Sequence, residues 1–159
     1  MAKIEQIDGF TEINLTNSVG DRGINKFDDV MVVQAMLKYA VEKNPYFAFT
    51  NYFPMPNGKM DSETLLNIRT FQMYVREKLN NRVSVDGRID PAKGIFVSAR
   101  KPGGKQRLTW TIGQLNAACL EAGLLRGSED YIKNICKLYP QVNAILSRTA
   151  VGSLRLALA

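Results

Sequence analysis

Three pieces of one stretch decide the reading of this chain: D-V-M-V-V-Q-A-M-L at Asp29–Leu37, G-K-M-D-S-E-T-L-L-N-I-R-T-F-Q at Gly58–Gln72, and V-D-G-R-I-D-P at Val85–Pro91. In the first, Val30, Val33, Leu37 and Val41 recur at helical spacing, with Asp28 or Asp29 placed to cap. Gln34, Lys38 and Glu42 share another face of that helix, and Pro45 bounds it by disfavouring helical backbone at Asn44. In the second, Asp61 or Ser62 can cap, and Leu65, Ile68, Phe71, Val75 and Leu79 make the apolar stripe up to Asn80-Asn81. In the third, Val83 to Gly87 is a short extended run into an Asp-Gly turn, and Pro91 suits the first turn of a short third helix, which Gly94 weakens. Gly58 and Gly87 permit tight turns that aim the helices after them, and Thr64 is placed to bond a free backbone group in its first turn. Gln34 and Gln72 each sit beside a core residue in equivalent helices, which predicts an internal pseudo-repeat.

Taken in this order, the three pieces resemble the peptidoglycan-binding domain family, whose pattern runs DVxxLQxxL, DGxFGxxTxxAVxxFQ, VDGxVGxxT. Gly58, Met60 (for the usual Phe), Thr64, Ile68, Phe71 and Gln72 fall on the second motif position for position. The segment Ser18-Val-Gly-Asp-Arg-Gly-Ile-Asn25 is similar to the lead-in of modules attached to contractile-secretion effectors. The departures are Asn57 for the usual Asp, Asp61 and Asp90 where glycine is common, and Lys93 at the final threonine position. The resemblance implies an all-α protein: a three-helix module over residues 29–99, with residues 1–28 as an irregular or partly extended lead-in. It implies non-catalytic recognition of peptidoglycan, with no cofactor and no metal. Glycan strands and stem peptides offer hydroxyls, amides and carboxylates, so the expected ligand-binding residues are Gln34, Asn57, Lys59, Gln72, Asp86 and Arg88 on or beside the motif turns.

Tyr46 and Tyr52 join that set from the connection between the first two helices, which also carries Phe47, Phe49 and Phe53 among prolines. Aromatic faces stack on sugar rings, and a tyrosine hydroxyl tolerates water. The three phenylalanines are expected to plug the core from outside.

Beyond the motifs, Arg100-Lys-Pro-Gly-Gly-Lys-Gln-Arg107 reads as a basic linker, followed by a helical extension over residues 108–159. Thr109 or Thr111 starts a helix carrying Ile112, Leu115, Cys119 and Ala122, ended near Gly123; Ser128 starts another with Ile132, Ile135, Cys136 and Tyr139 buried; Pro140 begins a last piece. The extension has no counterpart in the family pattern, and docking on a secretion-machine or phage-like protein is the role expected for it.

Composition narrows the chemistry. The 159 residues contain no histidine, which excludes Ser-His-Asp and Cys-His catalysis and the usual zinc hydrolases. A glycosidase using paired carboxylates needs no imidazole, but no pair is marked. Counted from Asp86, a calcium loop would need Gly at position six and Glu at twelve, where this chain has Pro91 and Val97. Cys119 and Cys136 are expected to be buried thiols rather than a disulfide. No apolar run approaches the roughly 20 residues that span a bilayer. Met1 to Gln6 lacks the apolar core of a secretory signal, so the expectation is synthesis in the cytoplasm and delivery by a non-classical route to the periplasm or cell envelope.

The net charge of +6 is concentrated between Arg76 and Arg107, where nine Lys/Arg (76, 78, 82, 88, 93, 100, 101, 105, 107) face three acids (Glu77, Asp86, Asp90). That field suits an anionic partner. Two further readings therefore stand beside wall recognition: an adaptor that binds an acidic protein or nucleic acid through residues 76–107, and a carboxylate-based wall hydrolase.

Overall fold

The computed structural model of the protein describes residues 1–42, 44–47, 53–93, 98–100 and 110–149. The all-α expectation is corrected: the fold is mixed, and the described residues form five α-helices (51% helical) and two small antiparallel sheets (11% strand). The first sheet is a hairpin, β1 (Lys3–Ile7) and β2 (Phe10–Asn14), in which Lys3 pairs with Asn14 and Ile7 with Phe10. Its two-residue turn is Asp8-Gly9, with φ of 54° and 82°. Positive φ at both central residues matches the right-handed twist of the flanking strands, which is why Asp-Gly favours a hairpin. The lead-in, expected to be irregular or partly extended, is thus extended in its first half.

The second sheet pairs β3 (Val19–Gly20) with β4 (Arg88–Ile89), Val19 opposite Ile89 and Gly20 opposite Arg88. This ties the turn-rich Ser18–Asn25 segment to the third motif. Gly20 has φ of 116°, and a Cβ there would lie 2.0 Å from the Gly87 carbonyl oxygen. Only glycine fits. The Asn25 side chain braces the segment, with Oδ1 accepting from Gly20 N–H (2.7 Å) and Nδ2 donating to the Gly20 carbonyl (3.1 Å).

The long helices follow the spacing read from the sequence. Helix α1 (Phe27–Val41) starts two residues before Asp29, and no side chain caps it. Asp29 is instead buried and accepts from the Thr16 N–H (3.3 Å) and the Asn17 amide (3.3 Å), holding the chain after the hairpin. Helix α2 (Ser62–Glu77) is capped by Asp61, which accepts from Thr64 N–H at 2.8 Å. Helices α3 (Thr111–Leu125), α4 (Tyr131–Leu138) and α5 (Pro140–Thr149) follow among the described residues.

Pro91 to Lys93, expected to open a third short helix, are not helical; residues 94–97 lie outside the described residues. The physical reason is Asn14. Its Oδ1 accepts from Ala92 N–H (2.9 Å) and its Nδ2 donates to the Ala92 carbonyl (3.1 Å), so the carbonyl that would serve the first helical turn is held by a distant side chain instead.

A single hydrophobic cluster joins the hairpin, α1, α2 and α3–α5. Helix α1 is central. Val30, Met31, Val32, Val33, Ala35, Met36 and Leu37 are all buried, because α3 covers the side that α2 leaves open. Helix α3 runs on past Gly123, where a Cβ would lie 2.7 Å from the Ser128 carbonyl oxygen, so glycine serves a close approach there and not a stop. Cys119 and Cys136 are free and buried, as expected, and burial pushes the Cys136 thiol up to about 12.

Beneath the hairpin lies a buried polar network around Glu12, which is 1% exposed. Asn116 Nδ2 donates to the carbonyls of Ile13 (2.7 Å) and Ile112 (3.0 Å), and its Oδ1 accepts from Ile13 N–H (3.0 Å). The Tyr131 hydroxyl lies 2.7 Å from Asn116 Oδ1 and 2.6 Å from Glu12 Oε2, while the Ser98 hydroxyl meets Glu12 Oε1. The Tyr131 hydroxyl has one proton to share between the Asn116 and Glu12 oxygens. Burial raises the Glu12 pKa, against the opposing hydrogen bonds from Ser98 and Tyr131 and the charge of Arg100.

A carboxyl whose pKa is raised on folding contributes stability that is fully present below its unfolded value and is lost as pH rises through the folded one. Glu12→Gln removes the titrating group and keeps an acceptor for Ser98. The expected outcome is a melting temperature that declines with rising pH in the wild type and much less in the variant. Equal slopes for the two proteins would show that Glu12 is ionised in the fold.

Candidate functional site

The motif residues assemble two copies of one local structure. In the first, the buried Gln34 of α1 holds the turn Asn57-Gly58-Lys59. Its Oε1 accepts from Asn57 N–H (2.9 Å) and Gly58 N–H (2.8 Å), and its Nε2 donates toward Asn57 Oδ1 (3.1 Å), the Lys59 carbonyl (3.0 Å) and Thr64 Oγ1 (3.0 Å). In the second, the buried Gln72 of α2 holds Asp86-Gly87-Arg88. Its Oε1 accepts from Gly87 N–H (2.8 Å), and its Nε2 donates toward Asp86 Oδ1 (3.1 Å), the Arg88 carbonyl (2.9 Å) and Thr111 Oγ1 (3.1 Å).

Each turn closes in the same way. Asn57 Oδ1 accepts from Lys59 N–H at 2.9 Å, and Asp86 Oδ1 accepts from Arg88 N–H at 3.0 Å. The glycines take φ of 75° and 76°. The pseudo-repeat read from Gln34 and Gln72 is present in the structure. Its last element differs from the sequence expectation: Thr111, the first residue of α3, and not the residue at position 93, completes the second clamp. Residues 91–110 are interposed between that turn and its threonine, and the helix that follows, α3, packs along α1.

The expected ligand-binding residues therefore separate by role. The amides of Gln34 and Gln72 have every hydrogen and both oxygens engaged inside the protein, so they shape the turns. Asn57 spends its Oδ1 in the same way, although the residue is exposed. The Lys59 ammonium is on an exposed residue beside the first turn. Tyr46 lies elsewhere, in an aromatic cluster with its ring 5.0 Å from Phe47 and 5.0 Å from Tyr74, under the Lys78 ammonium at 5.8 Å. Phe47 is buried and Phe53 packs against the core, as expected, while Phe49 and Tyr52 lie outside the described residues.

Asp86 and Arg88 open onto a cleft of about 210 Å³, lined also by Ser84, Asp90, Trp110 and Thr111. Arg88 pairs with Asp90: its Nη2 donates to Asp90 Oδ2 at 3.3 Å, while its Nε lies 2.9 Å from Asp90 Oδ1 without hydrogen-bond geometry. Trp110 is half-buried at the N-terminal boundary of α3 and was not among the expected site residues. It stands beyond the basic linker, so no local motif joins it to Asp86; only the clamp between Gln72 and Thr111 brings the two to one cleft.

A larger groove, about 250 Å³, runs between α1, α2 and α3 on Phe47, Phe71, Tyr74, Leu79 and Ala118. Its polar groups are partly spent, since Asn81 Nδ2 donates to Gln114 Oε1 (3.1 Å) and Asn44 Oδ1 accepts from Tyr46 N–H (3.0 Å). It contains none of the turn residues.

The basic segment is not one uniform field. Arg76, Lys78, Arg82 and Lys93 are exposed. Arg88 is paired as above. The Arg100 guanidinium lies 5.6 Å from the Phe10 ring centroid and 5.7 Å from that of Tyr131, donating to the Glu129 carbonyl at 3.2 Å. Lys101, Lys105 and Arg107 lie outside the described residues. Among the described residues, no group of three or more His, Cys, Asp or Glu is placed to hold a metal ion, and no helix is long and apolar enough to cross a membrane. No family model matches the chain, and no curated protein or solved structure matches it.

Proposed function

We propose that this protein is a non-catalytic module that recognises bacterial peptidoglycan, acting in the periplasm or cell envelope, with α3–α5 available for docking on a secretion-machine or phage-like partner. The observation that carries the reading is the double clamp. The residues on which the resemblance rests, Gln34, Gly58, Thr64, Gln72 and Gly87, are the ones that build the two rigid turns. The support comes from those residues alone, as no related protein speaks to it. Rigid turns presenting Lys59, Asp86 and Arg88 lose little freedom on binding and suit a ligand rich in hydroxyls and amides.

The exposed charges Arg76, Lys78, Arg82 and Lys93 favour the polyanion reading, and they give its test. Substituting all four by glutamine is expected to weaken binding to purified sacculi only modestly, with little dependence on salt. A polyanion partner would behave otherwise. Affinity for duplex DNA would fall with a logarithmic salt slope near −0.9 per phosphate contact and would collapse in the variant. Tight, salt-steep DNA binding without sacculus binding would replace the wall reading by the adaptor reading.

A further inference from the structure

We infer that the cleft between the second clamp and α3 seats one pyranose ring of a glycan strand, stacked on Trp110. The inference rests on the wall reading and selects the sugar chain over the stem peptide.

The cleft has the three things a sugar ring needs. The first is an aromatic side chain: the half-buried Trp110 is part of the cavity lining, and a pyranose presents axial C–H groups on one face that pack on an indole. The second is a rim that both donates and accepts, because sugar hydroxyls do both. Asp86 uses Oδ1 internally, for Gln72 and Arg88 N–H, which leaves Oδ2 as an acceptor on an exposed residue. Ser84 supplies an exposed hydroxyl, and the Arg88–Asp90 pair presents guanidinium donors and carboxylate acceptors side by side. The third is size. At about 210 Å³ the cavity falls below the range of roughly 300–1,000 Å³ typical of sites for larger ligands, which fits a single ring of a longer chain.

The rim is also pre-organised. Gln72 fixes Asp86, Gly87 and Thr111 together, so that part of the rim needs little ordering on binding. Formal charge inside the cleft is one cation against two carboxylates. That balance disfavours the carboxylates of a stem peptide and accepts the hydroxyl and acetamido N–H groups of an N-acetylated amino sugar.

Trp110 is the only tryptophan in the chain, so its emission reports the cleft directly. Titration with chitotetraose, a soluble β-1,4-linked N-acetylglucosamine tetramer, is expected to give a saturable emission change that a free stem peptide does not produce. Trp110→Ala is expected to weaken sedimentation with sacculi by about tenfold or more, as loss of an aromatic anchor does. Ser84→Arg, which fills the cleft from an exposed position, should do the same without touching the clamp. No emission change with chitotetraose, or wild-type sacculus binding by both variants, overturns the inference even when the wild type pellets with sacculi. A saturable sugar response without sacculus binding upholds the sugar site and removes the wall reading.

Discussion

Replacing Gln72 by alanine is expected to destabilise the protein by about 3–4 kcal/mol, among the largest effects of any single polar substitution here. The Gln72 side chain is fully buried and serves four groups: Gly87 N–H, the Arg88 carbonyl, Asp86 Oδ1 and Thr111 Oγ1. Truncation leaves the interior ones unpaired, at about 1–3 kcal/mol each before water or relaxation recovers part of the cost. It also unfastens α3 from the turn, so Trp110 and Asp86 lose their common anchor. Gln72→Glu separates hydrogen bonding from mere volume. The glutamate keeps an acceptor for Gly87 N–H but brings a second carboxylate against Asp86 and the Arg88 carbonyl, so it should also destabilise at neutral pH and recover on acidification. Chemical denaturation of both variants checks this; a loss below about 1 kcal/mol for alanine would make the clamp dispensable.

Phe71→Ala is expected to cost about 3–5 kcal/mol, the usual result of emptying a buried aromatic site. Phe71 is 1% exposed, sits one residue before Gln72 on α2, and meets Tyr74 at a tilt with ring centroids 6.4 Å apart; Tyr74 in turn meets Phe47 and Tyr46. The same substitution therefore loosens the aromatic cluster between α1 and α2. Equilibrium unfolding in denaturant measures it, and a change under about 1 kcal/mol would contradict the packing described here.

The helices were legible because their signals are local. Asp61 before Ser62–Glu77, and the stripe Ile68, Phe71, Val75, need nothing from the rest of the chain. The hairpin was less legible, although Asp8-Gly9 is a strong turn signal. In β2 the residues Glu12, Ile13 and Asn14 are all buried, so the alternation that marks a half-buried strand is absent. Glu12 and Asn14 are inside because Ser98, Tyr131 and Ala92, all distant in sequence, supply their partners. Helix α1 misled in the same way, its single stripe being only part of a helix buried on nearly all sides by α2 and α3.

The site divides along the same line. Asp86, Arg88, Asn57 and Lys59 were readable because turn chemistry places them at the surface. Gln34 and Gln72 were readable as important, but their spacing could not tell a ligand contact from an internal clamp. Thr111 repeats the T-x-x-x-apolar step of Thr64 and Ile68 in Thr111 and Leu115. That echo was hidden because residues 91–110 interrupt the second repeat. With Thr111 went Trp110.

The central claim, recognition of the wall without chemistry on it, is tested most directly by co-sedimentation of the intact protein with purified sacculi in excess duplex DNA, assaying pellet and supernatant together. The account predicts protein in the pellet, retained at high salt, and no soluble muropeptides in the supernatant. Protein left in solution with the DNA, or release of muropeptides that one Asp or Glu substitution abolishes, would contradict it.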